Sequence, residues 1–181
     1  MTKVLITGSS GTGKTEMANF LSEKGFNAFD ADSTPGMTRL EVRESGEPVP
    51  WPNGYVDWNK YAYNLNGEYL KKILKDKNDI IISVVASNQI KYFPLFDVVI
   101  VLHIPEEDEH LRRLKHRDAH EFGQDKKNLL RTVEISKTQT KEWEQLGGIV
   151  INANQTKEAV VSEIISASKI QNPPFNSKLE K

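Results

Sequence analysis

Cysteine is absent, which excludes disulfides and thiolate metal sites. Positive charge is not in surplus: 24 lysines and arginines face 25 acids, a formal net charge of −1. A general nucleic-acid or membrane-surface binder would need the opposite balance. Long apolar runs are missing, since IIISVVA and VVIVL stop far short of the ~20 residues of a membrane-spanning helix. The N-terminal MTKVLITG enters a strand pattern at once, leaving no room for a signal peptide and predicting a soluble, cytoplasmic protein. Repeats and low-complexity segments are lacking too. The length, 181 residues, suits one domain with a full core and a small lid or insertion.

Against that background, residues 4–15 read VLITGSSGTGKT. An apolar strand runs into glycine, serine and threonine, so that Gly8, four residues and then Gly13-Lys14-Thr15 satisfy G-x-x-x-x-G-K-[ST]. Phosphate binding is the chemistry that needs this pattern. Glycines let the backbone come close and turn successive N–H groups into an anion nest. The helix that follows adds its unpaired N–H groups and positive dipole end. Gly8, Ser9, Ser10, Gly11, Thr12 and Gly13 would cradle the phosphates, Lys14 would reach the β/γ-phosphates, and the Thr15 hydroxyl would hold Mg²⁺. Met17, Phe20 and Leu21 give that helix an apolar face, and Gly25 stops it.

Further along, apolar strands alternate with helical patterns, predicting an α/β fold with a mostly parallel sheet covered on both faces. Strands are expected over 3–7, within 26–32, over 79–85, over 97–102 and within 148–153. Helices are expected over 65–74 and over 106–117, the latter with acids first and bases last to match the dipole. A long helix carrying Leu129, Val133, Thr140 and Trp143 should stop at Gly147-Gly148, and a last one should be capped by Thr156. Residues 33–63 break the rhythm with Pro35, Gly36, Pro48, Pro50, Pro52 and Gly54, too long a stretch for an ordinary connection. The plan is one domain over 1–170, with a substrate-binding insertion at 33–75, a lid at 113–135 and a loose tail at 171–181.

Many phosphate-loop machines end an apolar strand on an Asp that helps hold Mg²⁺. Here the third strand reads DIIISVVASNQ and ends without one, and no N-K-x-D element for guanine is present; both absences weigh against a motor ATPase or a GTPase switch. The acids follow the second strand instead. Asp30 and Asp32 of FDAD lie two apart, on one side of an extended chain, at the C-terminal sheet edge where ligands bind. One would order Mg²⁺ waters and the other would accept a proton from an attacking hydroxyl; a turn or helix cap is the alternative. Between Leu111 and Arg131, seven bases face three acids. Arg113 and Arg117 share a helical face there, suited to placing charge on a migrating phosphoryl group, the alternative being a solvated charged helix. His110, His116 and His120 have no spacing that would converge on a metal and are expected at the surface.

With these motifs the chain resembles the P-loop small kinases, the superfamily of nucleoside monophosphate, shikimate and gluconate kinases, over residues 1–167. GSSGTGKT carries the resemblance, supported by FDAD, VVIVLHIPEEDEHLRRLKHR and INANQTKEAVVSEI. It implies a P-loop three-layer fold with a five-stranded parallel sheet in the order 2-3-1-4-5. It also implies ATP and Mg²⁺ as cofactors and transfer of the γ-phosphate to a nucleotide, nucleoside or small hydroxylated metabolite, by a monomer or homodimer. FDAD is similar to the D-x-D of the shikimate kinase branch, which implies a metal role for Asp30 and an acceptor role for Asp32. The lid-helix likeness implies that Arg113, or Arg112 in its place, packs on adenine while Arg117 touches phosphate, with Arg131 a further candidate. The last segment implies that Ala153, Asn154 and Gln155 lie beside the base. Neither a DGFPR-like motif nor a GGG loop is present; SVVASNQ stands in their place, so no named acceptor is implied. Arg39 and Arg43, four apart, would either bind an acceptor phosphate or carboxylate or serve only at the surface, and Ser87, Asn88 and Gln89 would read polar groups from the sheet edge. Trp51, Tyr55, Trp58, Tyr61 and Tyr63 would either stack on a base or pack the insertion together. The competing class is a nucleotide-binding regulator or weak ATPase without a small-molecule acceptor, for which Asp32 would be dispensable.

Overall fold

The computed structural model of the chain describes residues 1–52, 56–75, 78–116 and 126–170, the side chains of 126–128 excepted. In chain order its elements are β1 (Lys3–Gly8), α1 (Lys14–Glu23), β2 (Ala28–Asp30), β3 (Thr38–Val42), β4 (Pro48–Val49), β5 (Tyr61–Leu65), α2 (Gly67–Ile73) and β6 (Ile80–Ser83). A 3-10 helix (Gln89–Leu95), β7 (Val98–His103), α3 (Glu107–Lys115), α4 (Lys126–Gln145), β8 (Ile149–Asn152) and α5 (Lys157–Ser168) complete them. The predicted loop at 118–125 and the tail at 171–181 lie outside the described residues.

Five strands pair in parallel in the order β2-β6-β1-β7-β8. Counting only these strands along the chain, that is the order 2-3-1-4-5 which the family resemblance implies. Their apolar runs are buried on both faces because a period of two sends alternate side chains to opposite layers. Val4 and Ile6 pack with Met17, Leu21, Val161 and Ile164 of α1 and α5. Leu5, Ile82 and Val101 face the other way, onto Leu70, Phe93 and Trp143. Leu5 and Ile82 are fully buried, so truncating either to Ala is expected to destabilise the fold by about 2–5 kcal/mol. No helix among the described residues is long and apolar enough to cross a membrane.

The insertion folds as a second sheet, a feature the sequence reading did not resolve. β4, β3 and β5 pair antiparallel in the order β4-β3-β5. Pro48 opens the edge strand, where its missing N–H removes no ladder bond. Directly opposed residues share a face, so Thr38, Leu40, Tyr63 and Leu65 lie on one side of this sheet and Arg39, Glu41 and Asn64 on the other. Leu65 and Met37 join the core under the parallel sheet. Asn88, just after β6, fastens the insertion: its amide accepts from Leu65 N at 2.9 Å and donates to Leu65 O at 3.0 Å.

Candidate active site

β1 delivers its loop under tight constraint. A Cβ on Gly8, at φ 152°, would lie 2.4 Å from Leu102 O and 2.7 Å from Thr12 Oγ1, so only glycine lets the chain turn there. The Ser9 carbonyl accepts from Lys14 Nζ at 2.9 Å and from Thr12 Oγ1 at 2.9 Å. α1 starts at Gly13, at φ 86°, with no side chain capping it, whereas α5 is capped by Thr156. The N-cap glycine of α1 offers the first N–H groups no side-chain acceptor, and they point where an anion would bind. Thr15 is exposed in that first turn.

Two helices hold the loop from outside. Ser9 Oγ meets Ser136 Oγ of α4 at 2.6 Å. His110 Nε2 lies 2.7 Å from Ser10 O, and since a carbonyl can only accept, that nitrogen carries the hydrogen. Burial holds the His110 imidazole below its usual pKa, with Arg113 and Lys14 acting in the same sense. His110 is therefore buried and not at the surface, which corrects the sequence expectation; it is a neutral donor to the loop. The sequence signal was its place four residues before the buried Leu114. Ser136 was signalled too, because it falls in the stripe Leu129, Val133, Ser136, Thr140, Trp143 that α4 buries.

Beside the loop opens a cavity of about 640 Å³, lined by Gly11–Met17, Arg112, Arg113, His116, Ala153 and Gln155 among others. That volume lies within the range of small-ligand sites. Glu109 organises its wall: Arg112 Nε and Nη2 donate to its two oxygens at 2.7 and 2.8 Å, and Arg113 Nε donates at 2.7 Å. The Arg112 and Arg113 guanidinium groups pull the Glu109 carboxyl down to about 2. Arg113 Nη2 reaches Asn154 Oδ1 at 3.4 Å, and Asn154 Nδ2 donates to Glu106 Oε2 at 2.9 Å. Gln155 Nε2 donates to Asn152 O and to Glu163 Oε1, each at 2.9 Å. The sequence-chosen Arg113, Ala153 and Gln155 thus meet the phosphate loop in one cleft, with Asn154 bound to Arg113. Arg117 lies outside the described residues, and Arg131 is exposed on α4.

The acids sit two strands from β1. Asp30 pairs in register with Ser83, and Ser83 with Ile6, a lateral offset of about 10 Å between Asp30 and β1. Asp30 is 4 % exposed and its Oδ1 accepts from Asp32 N at 3.0 Å. Ser83 Oγ is buried without a hydrogen-bond partner, a polar atom fit for an ordered water. Thr15, Asp30 and Ser83 supply hard oxygens, and no group of three or more His, Cys, Asp or Glu side chains gathers among the described residues. Such a set suits Mg²⁺, which keeps most of its waters and phosphate oxygens. Asp32 is exposed, and its Oδ1 accepts from the Tyr63 phenol at 2.6 Å.

The acceptor contacts chosen from sequence are scattered. Arg39 lies on the sheet face opposite Tyr63 and donates to Glu41 Oε1 at 2.5 Å. It lines a separate cavity of about 500 Å³ with Lys71, Lys72 and Lys91. Arg43 donates to Trp58 O at 2.8 Å. Four residues on a strand span about 13 Å, and each arginine is engaged by a different partner. Asn88 spends its amide on Leu65, and Ser87 N donates to Tyr63 O at 2.7 Å.

A family model described as an AAA domain matches residues 4–139. No curated protein matches the sequence. Among solved structures, a shikimate kinase from Acinetobacter baumannii in complex with shikimate is similar with TM-score 0.56 and 18 % identity, over 94 % of this chain and 96 % of that one. A gluconokinase from Sinorhizobium meliloti is similar with TM-score 0.54 and 16 % identity, over 93 % and 91 %. A sugar kinase from a Janibacter species is similar with TM-score 0.52 and 18 % identity, over 95 % and 96 %. The last three share the fold that the topology describes. Since the first match spans three quarters of the sequence and includes both the phosphate loop and FDAD, the chain belongs to the AAA domain family, built on the fold of the P-loop small kinases.

Proposed function

We propose that this chain is an ATP-dependent phosphotransferase that moves the γ-phosphate to the hydroxyl of a small molecule. The observation that carries the reading is one sheet edge holding both a phosphate loop with its buried lysine and an exposed carboxylate, Asp32, supported from the insertion. The names of the similar structures, kinases of gluconate, shikimate and sugar, support an alcohol as acceptor. The loop N–H groups and α1 would bind the phosphates, and Lys14 would place its charge on the β/γ oxygens. Arg113, fixed by Glu109, would face the base with Ala153, Asn154 and Gln155. Thr15 and Asp30 would hold Mg²⁺, which supplies neutralising charge to the phosphates when bound. Asp32 would orient the acceptor hydroxyl and take its proton. Arg117 and Arg131 are proposed as the cations that meet the migrating group.

The test is a transfer assay with γ-labelled ATP over shikimate, D-gluconate, D-glucose, nucleosides and nucleoside monophosphates. An alcohol should be labelled, and Asp32→Asn should lower that transfer by about 10²–10⁴-fold with ATP affinity nearly unchanged. Labelling of a monophosphate that survives Asp32→Asn would move the chain to the nucleotide kinases. ATP binding with slow hydrolysis, no transfer, and no effect of Asp32→Asn would make it a nucleotide-binding regulator.

A further inference from the structure

Asp32 does not act alone at the sheet edge. Its Oδ1 lies 2.6 Å from the phenol oxygen of Tyr63, which in turn lies 2.7 Å from Thr38 Oγ1. A phenol has one hydrogen and an ionised carboxylate has none. The Tyr63 O–H therefore points at Asp32, and the Thr38 hydroxyl donates to Tyr63, giving a relay Thr38 to Tyr63 to Asp32 in which each bond polarises the next. The chain brings these groups together across 31 residues, because β3 and β5 place Thr38 and Tyr63 on the same face of the insertion sheet. The ring is braced as well: Trp51 stands edge-on to Tyr63 at 5.8 Å and 90°, and Trp58 stands against Trp51 at 6.4 Å.

We propose that Tyr63 is a positioning residue of the phosphotransfer site, fixing the rotation of the Asp32 carboxylate so that it meets the acceptor hydroxyl in a reactive orientation. This rests on the assignment of Asp32 to the acceptor. Orientation of a catalytic group is worth large rate factors, and a short bond from a braced phenol sets the rotation of the carboxylate. Burial, the hydrogen bond to Asp32 and the nearby Asp32 charge all raise the phenol pKa, so Tyr63 stays a donor at neutral pH and well above it. The inference also gives the aromatic cluster a purpose: Trp51 and Trp58 brace the residue that steers the carboxylate.

Tyr63→Phe keeps the ring and its contact with Trp51 while removing the bond. With γ-labelled ATP and whichever of shikimate, D-gluconate or D-glucose is labelled fastest, kcat should fall about 10–100-fold, while KM for ATP stays within about twofold and the melting temperature changes little. In an Asp32→Asn background, Tyr63→Phe should cause no further loss, because a residue that acts through Asp32 has nothing left to orient. Full multiplication of the two losses in the double variant would overturn the proposal, as would an unchanged kcat in Tyr63→Phe. A lowered melting temperature with unchanged kcat would assign Tyr63 to holding the insertion alone. If Asp32→Asn itself transfers phosphate normally, or no alcohol is labelled, the assignment of Asp32 fails first and Tyr63 falls with it.

Discussion

At the proposed nucleotide end, Ser9, Thr12, Lys14 and His110 are 5, 1, 9 and 1 % exposed. At the proposed acceptor end, Asp32 is exposed and Trp51 is 58 % exposed. The first end is built around one contiguous loop, residues 8–15, wedged between strands and helices, whose backbone groups would be the ligands. The second sets Asp32, just past β2, against side chains of a three-stranded sheet with few buried residues. A preformed grip suits a ligand part common to every turnover, the phosphate chain. A lightly packed wall held by cross-strand partners can vary without disturbing the core, which is what a changing acceptor demands.

The sharpest way to break that comparison is to damage each end and see which step suffers. Lys14→Ala at the preformed end should lower turnover by about a hundredfold or more, as loss of a transition-state donor does, while circular dichroism shows an intact fold. Normal turnover would mean that the loop is not the catalytic grip. Next in size, Arg113→Ala should weaken ATP binding by about tenfold, the equivalent of ~1.4 kcal/mol, with kcat nearly constant; calorimetric titration with ATP measures it. A fall in kcat alone would place Arg113 with the migrating phosphate instead.

A subtler distinction lies in pH. Burial depresses the His110 pKa, and His103 is depressed mainly by burial as well. As pH falls through the ordinary histidine value near 6.5, the unfolded chain binds protons that the folded chain refuses. Stability is therefore full above about pH 6.5 and is lost as pH drops toward the depressed values. The urea midpoint should decline from pH 7 to pH 5, and decline less in His110→Gln, which keeps a donor for Ser10 but does not titrate. An identical slope in the variant would show that His110 is not a source of the effect. Smallest of all, Trp51→Ala should destabilise by about 1 kcal/mol or less, the scale of an exposed aromatic pair, and leave ATP affinity untouched. A larger loss would mean that the insertion depends on its aromatics as a core.

The same contrast explains what could be read in the sequence. The loop, the existence of the parallel strands and the Thr156 cap were legible because each depends on neighbours along the chain: a fixed spacing, an apolar run, a residue before a helix. The order of the strands came only with the family likeness. Arg113 with Ala153 and Gln155 was legible only through a family likeness, since α3 and the end of β8 meet in space. Tyr63 on Asp32 and Asn88 on Leu65 left no local mark, for cross-strand register decides them. Arg39 and Arg43 have separate partners, Glu41 and the Trp58 carbonyl, contacts that their spacing in the sequence does not show. His110 was passed over because a titratable residue on a charged helix looks solvated until its helix is packed against something.

The carbonyl of Ser9 takes up both the Lys14 ammonium and the Thr12 hydroxyl. An anion arriving on the same hydrogens would compete with an acceptor that the protein itself provides, and would gain only the difference between the two bonds. Hydrogen bonds involving a charged group contribute about 1.5–3 kcal/mol each, so one inorganic phosphate exchanging for one carbonyl gains little. A triphosphate also engages the loop amides and the uncapped start of α1, contacts for which the Ser9 carbonyl does not compete. On the proposed function, such competition would act as a threshold on ligand length, favouring long phosphate chains over short ones.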